Sequence, residues 1–194
     1  MDKKLLKHCL FLDIETTGLD PCKHGMISCG AWTINGCSFW ADNFLREGAE
    51  IDERALVVNG EDEEELLSRS PLSYRSEMQS LNELIKFASD FNCLVIVGKN
   101  PRFDYGFLLE IWKRHNMLAR DFPFSHRVVN WGDMAIPYLL MQGHIVPEKG
   151  FSSDQISELL GIEPESKPHT AINGALHNRT CFLKILEKYG LTIE

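Results

Sequence analysis

A mixed α/β fold, a sheet covered by helices, is predicted by two features of this chain. Three consecutive runs rich in β-forming residues occupy its first quarter, and an alternation of helical and strand-like segments takes up the rest. A third observation agrees: no internal repeat and no low-complexity linker interrupts the pattern. At 194 residues the chain suits a single domain, 1–194, large enough to bury a substantial core. Its 44% hydrophobic and 25% charged content excludes a disordered or fibrous polypeptide.

His8 to Ile14 reads as an apolar, central first strand. Met26 to Ile34 and Cys37 to Phe44 follow as a hairpin joined at Asn35-Gly36, a strong turn signal, so the first three strands are expected to be antiparallel. Ile51 to Asn59 is predicted as a short helix stopped by Gly60, and Glu61 to Arg69 as a second, acidic one. Leu81, Leu84, Ile85 and Ala88 set a helical period over Ser80 to Phe91. That helix leads into the β-branched run Cys93 to Val97, a crossover to a strand beside the first. Arg102 to His115 carries the buried stripe of a further helix, with Phe103, Phe107, Leu108, Ile111 and Trp112 as core residues. A short strand at Val128 to Asn130 precedes helices over Met134 to Met141, Ser153 to Leu160 and Thr170 to Tyr189. Ser152 or Ser153 caps the penultimate helix and Gly161 ends it.

Asp13 and Glu15 stand out in the first strand. Side chains alternate along a strand, so these two acids share a face while Leu12 and Ile14 take the other. Ligands of mixed sheets gather at strand C-terminal ends, where this pair sits, and paired carboxylates suit a hard divalent cation. Thr16-Thr17-Gly18 then breaks the strand. Asp104 falls in the first turn of the helix after the fourth strand. The helix dipole alone favours an acid there, but adjacency of the two strands would bring Asp104 beside Asp13 and Glu15.

These residues resemble the DnaQ-like 3′ to 5′ exonucleases of the ribonuclease H-like superfamily, in the subclass named for four acids and a histidine. Phe11-Leu-Asp-Ile-Glu-Thr-Thr-Gly-Leu19 is similar to the first family motif, Asn100-Pro-Arg-Phe-Asp104 to the second, and His169-Thr-Ala171 to the start of the third. Ala55 to Gly60 and Trp131-Gly-Asp133 resemble the family segments that lie between, so the likeness spans nearly the whole chain in order. It implies a three-layer α/β/α fold with a mixed five-stranded sheet. It also implies two Mg²⁺ or Mn²⁺ ions held by Asp13, Glu15 and Asp104, with His169 as general base. Two such ions roughly 3.5–4 Å apart stabilise the attacking and leaving oxygens of a phosphodiester displacement, and an imidazole titrates near neutrality, where a base is needed. Thr16, Thr17, Gly18, Leu19 and Asn100 are the implied substrate contacts. The implied partners are single-stranded DNA or RNA 3′ ends. Homodimers are common in the family, and no apolar stripe of this sequence decides the matter.

One position departs from the pattern. The third family motif places an aspartate five residues after the histidine, and that position here is Gly174. Glycine supplies no ligand, and inside a helix it costs about 1 kcal/mol relative to alanine with no local reason in the sequence. The metal on the side of the attacking water is therefore expected to be weakly held, with Asn173 or His177 as imperfect substitutes. Two readings follow: a working but impaired exonuclease, or a degenerate nuclease fold that binds nucleic acid or protein.

Composition limits the remaining possibilities. A net charge of −8 argues against broad electrostatic coating of duplex nucleic acid, although six bases between Lys99 and Arg127 are a candidate local phosphate face. No apolar run approaches the roughly 20 residues of a membrane span. The six cysteines form no CxxC pair and read mostly as buried thiols. A zinc cluster of Cys22, His24, Cys29 and Cys37 is disfavoured by its spacing. A cytoplasmic protein with no membrane partner is the resulting expectation.

Overall fold

The computed structural model describes residues 6–165 and 167–191. A five-stranded sheet runs in the order β3-β2-β1-β4-β5 through its centre. Its strands are β1 (Cys9–Thr16), β2 (Met26–Thr33), β3 (Ser38–Asp42), β4 (Val95–Gly98) and β5 (Val129–Asn130). β1 pairs antiparallel with β2 and parallel with β4, so the first three strands are antiparallel and the last two follow β1. Seven α-helices complete the described chain: α1 (Glu53–Asn59), α2 (Glu63–Ser68), α3 (Glu77–Asp90), α4 (Arg102–Arg114), α5 (Trp131–Met141), α6 (Ser153–Leu160) and α7 (Ala171–Lys188).

The alternation of β1 divides the core into two layers. Leu10, Leu12 and Ile14 pack with Leu81, Leu84 and Ala88 of α3 and with Phe107, Leu108 and Ile111 of α4. Phe11 turns to the opposite face, where it meets Trp131 of α5, Ile156 of α6, and Phe182 and Ile185 of α7. Asp13 and Glu15 share the parity of Phe11 and therefore lie on the face covered by α7. The expected three-layer α/β/α arrangement is what these contacts build.

Two glycines set how closely α7 approaches the sheet. A Cβ on Gly30, which pairs with Asp13 across the β1–β2 ladder, would lie 2.3 Å from the backbone oxygen of Ala171. Trp32 adds a bond from its indole nitrogen to the Ile172 carbonyl, 3.2 Å away. The first turn of α7 is thus pressed onto β2 directly beside the acids of β1. At its middle, Asn178 accepts from the Trp131 indole at 2.7 Å and from the Lys99 amide at 3.1 Å, and donates to the Leu12 carbonyl at 2.8 Å. One buried amide side chain therefore joins β1, α5 and the loop that opens α4.

Several expected boundaries shift for identifiable reasons. The hairpin does not close on a two-residue Asn-Gly turn: Thr33 bonds Cys37 as the closing pair and Gly36 donates back to Thr33, with Gly36 at φ 88°. Only the glycine uses its left-handed freedom, which gives a three-residue loop. α3 starts at Glu77 rather than Ser80, because Ser76 and Gln79 form a capping box. α5 starts three residues before Met134, because Asn130 caps it through the Gly132 amide.

The basic face between Lys99 and Arg127 is thinned, with Lys99 left in the cavity wall. Arg114 turns inward to the buried Glu77 at 2.9 Å and to the Pro21 carbonyl at 2.8 Å, while Lys113 pairs with Glu110 at 3.4 Å and Arg120 with Asp121 at 3.7 Å. Glu77 also accepts from the Met26 amide at 2.7 Å, so these charges tie α3, α4 and β2 together. The thiols also differ from expectation: Cys29, Cys93 and Cys181 are buried, but Cys22 is exposed and Cys9 and Cys37 are half-buried. Cys29 lies inside the core, away from the exposed Cys22, which removes the disfavoured zinc cluster.

Candidate active site

Asp13, Glu15, Asp104, His169 and Gly174 line one cavity of about 240 Å³ at the C-terminal end of the central strands. The two β1 acids arrive through strand alternation. Asp104 comes from the first turn of α4, behind a loop in which Asn100 takes φ 56° and Pro101 begins the helix. His169 comes from the segment before α7, which rests on Gly60 at the end of α1: a Cβ there would meet the Pro168 ring carbon Cβ at 2.4 Å. Gly60 is thus needed both for its left-handed backbone, φ 68°, and for its lack of a side chain.

The acids are held in an environment hostile to charge. Burial, and then Asp104, Glu15 and Glu165, push the Asp13 carboxyl well above the usual carboxylate range. Burial pushes Glu15 up to about 8, with Glu165 the strongest neighbouring charge and Asp104 and Glu61 adding to it. Asp104 is pushed up to about 7 by burial, against the pull of backbone amides at Asp104 and Ile14. Crowded, desolvated carboxylates of this kind accept either protons or a cation.

Glu165 is a member of the cluster that sequence reading missed. It lines the cavity and places Oε2 3.1 Å from His169 Nδ1. Its other oxygen, Oε1, is buried without a hydrogen-bond partner among the described residues. The available signal was its place four residues before His169, in a loop with no strand or helix periodicity to mark which way its side chain turns.

Gly174 has a local reason that the sequence did not reveal. A Cβ built there would stand 2.1 Å from Asp13 Oδ2 and 2.6 Å from its Cγ, so the Asp13 carboxylate fills the space an alanine or aspartate side chain would need. The two candidate substitutes are differently placed. Asn173 lines a larger neighbouring groove of about 810 Å³ rather than the carboxylate cavity. His177 borders both cavities, but its Nε2 lies 2.9 Å from Ser157 Oγ and 3.3 Å from Cys181 Sγ, and burial lowers its pKa. It is a satisfied neutral histidine turned toward α6.

The residues of the Thr-Thr-Gly turn are committed to structure. Thr16 Oγ1 donates to the Gly18 carbonyl at 2.8 Å and Thr17 Oγ1 to the Glu50 carbonyl at 2.6 Å. The Thr17 amide and carbonyl bond Gly25 and Asp52, and the Thr16 carbonyl accepts from Asn59. Most of the turn's carbonyls and the Thr17 amide therefore have partners within the protein. Gly18 is required by the His24 ring, which would lie 2.2 Å from its Cβ. Leu19 is 79% exposed beyond the turn and does not line the cavity. Asn100, Val58, Lys99 and Phe103 do, and of these Val58 was not anticipated. Phe103 also packs on the α4 core, with its ring 4.9 Å from Phe107.

The fold is shared with solved nuclease structures, and the relatives similar in sequence are PolC-type DNA polymerases. The chain is 28% identical over 186 residues to the PolC-type DNA polymerase III of Thermotoga maritima, and equally to that of Thermotoga petrophila. The match takes in 93% of the chain but 12% of each polymerase. Among solved structures, E. coli exonuclease I in complex with a dT13 oligonucleotide superposes with a TM-score of 0.70 at 18% identity, over 92% of this chain and 40% of that one. Cell-death related nuclease 4 gives 0.70 at 13% identity, over 95% and 65%. No family model matches.

Proposed function

We propose that this domain is a divalent-metal-dependent 3′ to 5′ exonuclease that hydrolyses phosphodiester bonds at single-stranded nucleic acid 3′ ends. The observation that carries the reading is the convergence of Asp13, Glu15, Asp104 and His169, from three separate parts of the chain, on one cavity. Structures of exonuclease I with dT13 and dA16 oligonucleotides support a single-stranded partner. Free thiols suit a reducing cytoplasm, and no helix among the described residues is long and apolar enough to cross a membrane.

The donor set fits Mg²⁺ or Mn²⁺. It consists of hard carboxylate oxygens whose mutual repulsion a cation would relieve, and it includes the partnerless Glu165 Oε1. Among the described residues no three His, Cys, Asp or Glu side chains form a ready-made cage, so loading requires side-chain adjustment. Asp13, Glu15 and Asp104 would hold the metal. When bound, divalent ions lower the pKa of water and neutralise charge on the transferring phosphate. With a cation bound, Glu165 would be held as a carboxylate that accepts only, so His169 Nδ1, 3.1 Å from its Oε2, would carry the proton and Nε2 would be left to take one from the attacking water. Lys99, half-buried in the cavity wall, brings a positive charge toward a phosphate, and Val58, Leu19 and Asn100 offer exposed surface to the terminal nucleotide.

A degenerate binding module is the second reading, favoured by Gly174 alone. Incubation with 5′-labelled single-stranded DNA and RNA in Mn²⁺ separates the two. A ladder of products shortened one nucleotide at a time, absent in EDTA, is expected. Retention of the oligonucleotide in a shift assay with no cleavage in Mn²⁺ would select the binding module instead.

A further inference from the structure

We propose that Glu165 is a metal ligand of this site and supplies the fourth carboxylate that Gly174 cannot. Glu165 stands nine positions before Gly174, in the loop that precedes the last helix. This inference rests on the metal-dependent reading of the site.

Three observations carry it. First, Glu165 lines the same cavity as Asp13, Glu15 and Asp104, with its side chain only 14% exposed. Second, its two oxygens are in different situations. Oε2 holds His169 Nδ1 at 3.1 Å, while Oε1 is the only carboxylate oxygen among the described residues that is both buried and without a partner. Leaving a buried acceptor unsatisfied costs about 1–3 kcal/mol, more for a charged one, and a cation in the cavity removes that cost. Third, the space is complementary. Asp13 Oδ2 fills the volume beside Gly174, so a side-chain ligand cannot enter from α7 without displacing it. Glu165 reaches the cavity from the loop before α7, and glutamate has one methylene more than aspartate with which to span the gap.

A glutamate that only oriented His169 would need one oxygen, and the second would face solvent. Here the second oxygen is buried, and the Glu165 charge is felt by both Asp13 and Glu15, as expected of a ligand in the same cavity. The same residue then couples the base to the metal: one oxygen fixes the tautomer of His169 while the other binds the ion near which the water would be activated.

The test is calorimetric titration of Mn²⁺ into the whole chain without nucleic acid, with far-UV circular dichroism as a folding check. Glu165→Gln is expected to weaken or remove one class of Mn²⁺ site by at least tenfold. His169→Ala is expected to leave Mn²⁺ affinity within about twofold, because the imidazole is not a ligand. Glu165→Asp, which keeps a carboxylate, is expected to retain more Mn²⁺ affinity than Glu165→Gln, and it keeps the test informative if the glutamine variant folds poorly. Unchanged stoichiometry and affinity in Glu165→Gln would overturn the proposal, as would the absence of any Mn²⁺ binding by the wild-type chain. Loss of Mn²⁺ binding in Glu165→Gln, in a wild type that yields no cleavage products, would uphold the ligand and refute the exonuclease. A ladder that requires Asp13, alongside normal Mn²⁺ binding in Glu165→Gln, would do the reverse.

Discussion

Asp13→Asn is expected to lower turnover on a labelled oligonucleotide by about 10³-fold or more, while making the metal-free protein more stable. The first effect follows from the central place of Asp13 in the carboxylate cluster. Loss of Lewis-acid assistance worth several kcal/mol converts to that factor at 1.36 kcal/mol per tenfold. The second follows from electrostatics. Burial and three neighbouring acids disfavour the ionised Asp13, so a neutral isostere removes an unfavourable charge from the folded state. At pH 8 in EDTA the variant should melt about 2–4 °C higher, the shift that 1 kcal/mol produces in a domain of this size. A variant both inactive and less stable would mean that Asp13 is a structural residue and that the cluster is not built for a cation.

Gly30→Ala is expected to cost about 3 kcal/mol, at the upper end of overpacking effects, and to lower the melting temperature by about 6–12 °C. The new methyl would meet the backbone of Ala171 and Ile172 at 2.3–2.5 Å, and backbone cannot swing aside as a side chain can. α7 would have to lift from β2, moving His169 and Gly174 away from Asp13. Activity measured well below the melting temperature should therefore fall as well. Gly106→Ala is the control, since nothing lies within 4 Å of a Cβ there and the position is helical. It should be neutral or slightly stabilising. Equal, small effects for the two substitutions would contradict the close contact of α7 with the sheet.

Much of this was legible from residue pattern. Period-two alternation put Asp13 and Glu15 on one face of β1, and a β-branched run after a helix predicted the parallel partner that brings Asp104 alongside. The features that escaped depend on contacts across the sheet. Arg114 looks like a solvent-facing base of an exposed face until α3 brings Glu77 against it. Gly174 looks like an unforced loss until Asp13 is seen occupying the space its Cβ would need. Glu165 lies in a segment without periodicity, so nothing local tells its side chain to turn inward. The Thr-Thr-Gly turn was legible as a turn, yet its hydrogen-bond partners, Gly25, Glu50 and Asp52, come from segments that sequence alone does not bring near it.

The central claim is that the carboxylate cluster is a cation site, and thermal melting with and without Mn²⁺ between pH 5.5 and 8 tests it most directly. Acids whose pKa is higher in the folded than in the unfolded chain contribute stability that is fully present below the unfolded values, about 4, and is lost as pH rises through the folded ones, about 7 for Asp104 and about 8 for Glu15. The range stops at pH 8 because buried thiols, also raised, begin to add the same sign of effect above their unfolded value of about 8.5. Without metal, the melting temperature should therefore fall across this window, and Asp13→Asn should flatten the fall. With Mn²⁺ the fall should shrink or reverse, because the ion binds the deprotonated cluster of the folded state alone. Superimposable curves with and without Mn²⁺ at pH 8 would contradict the account.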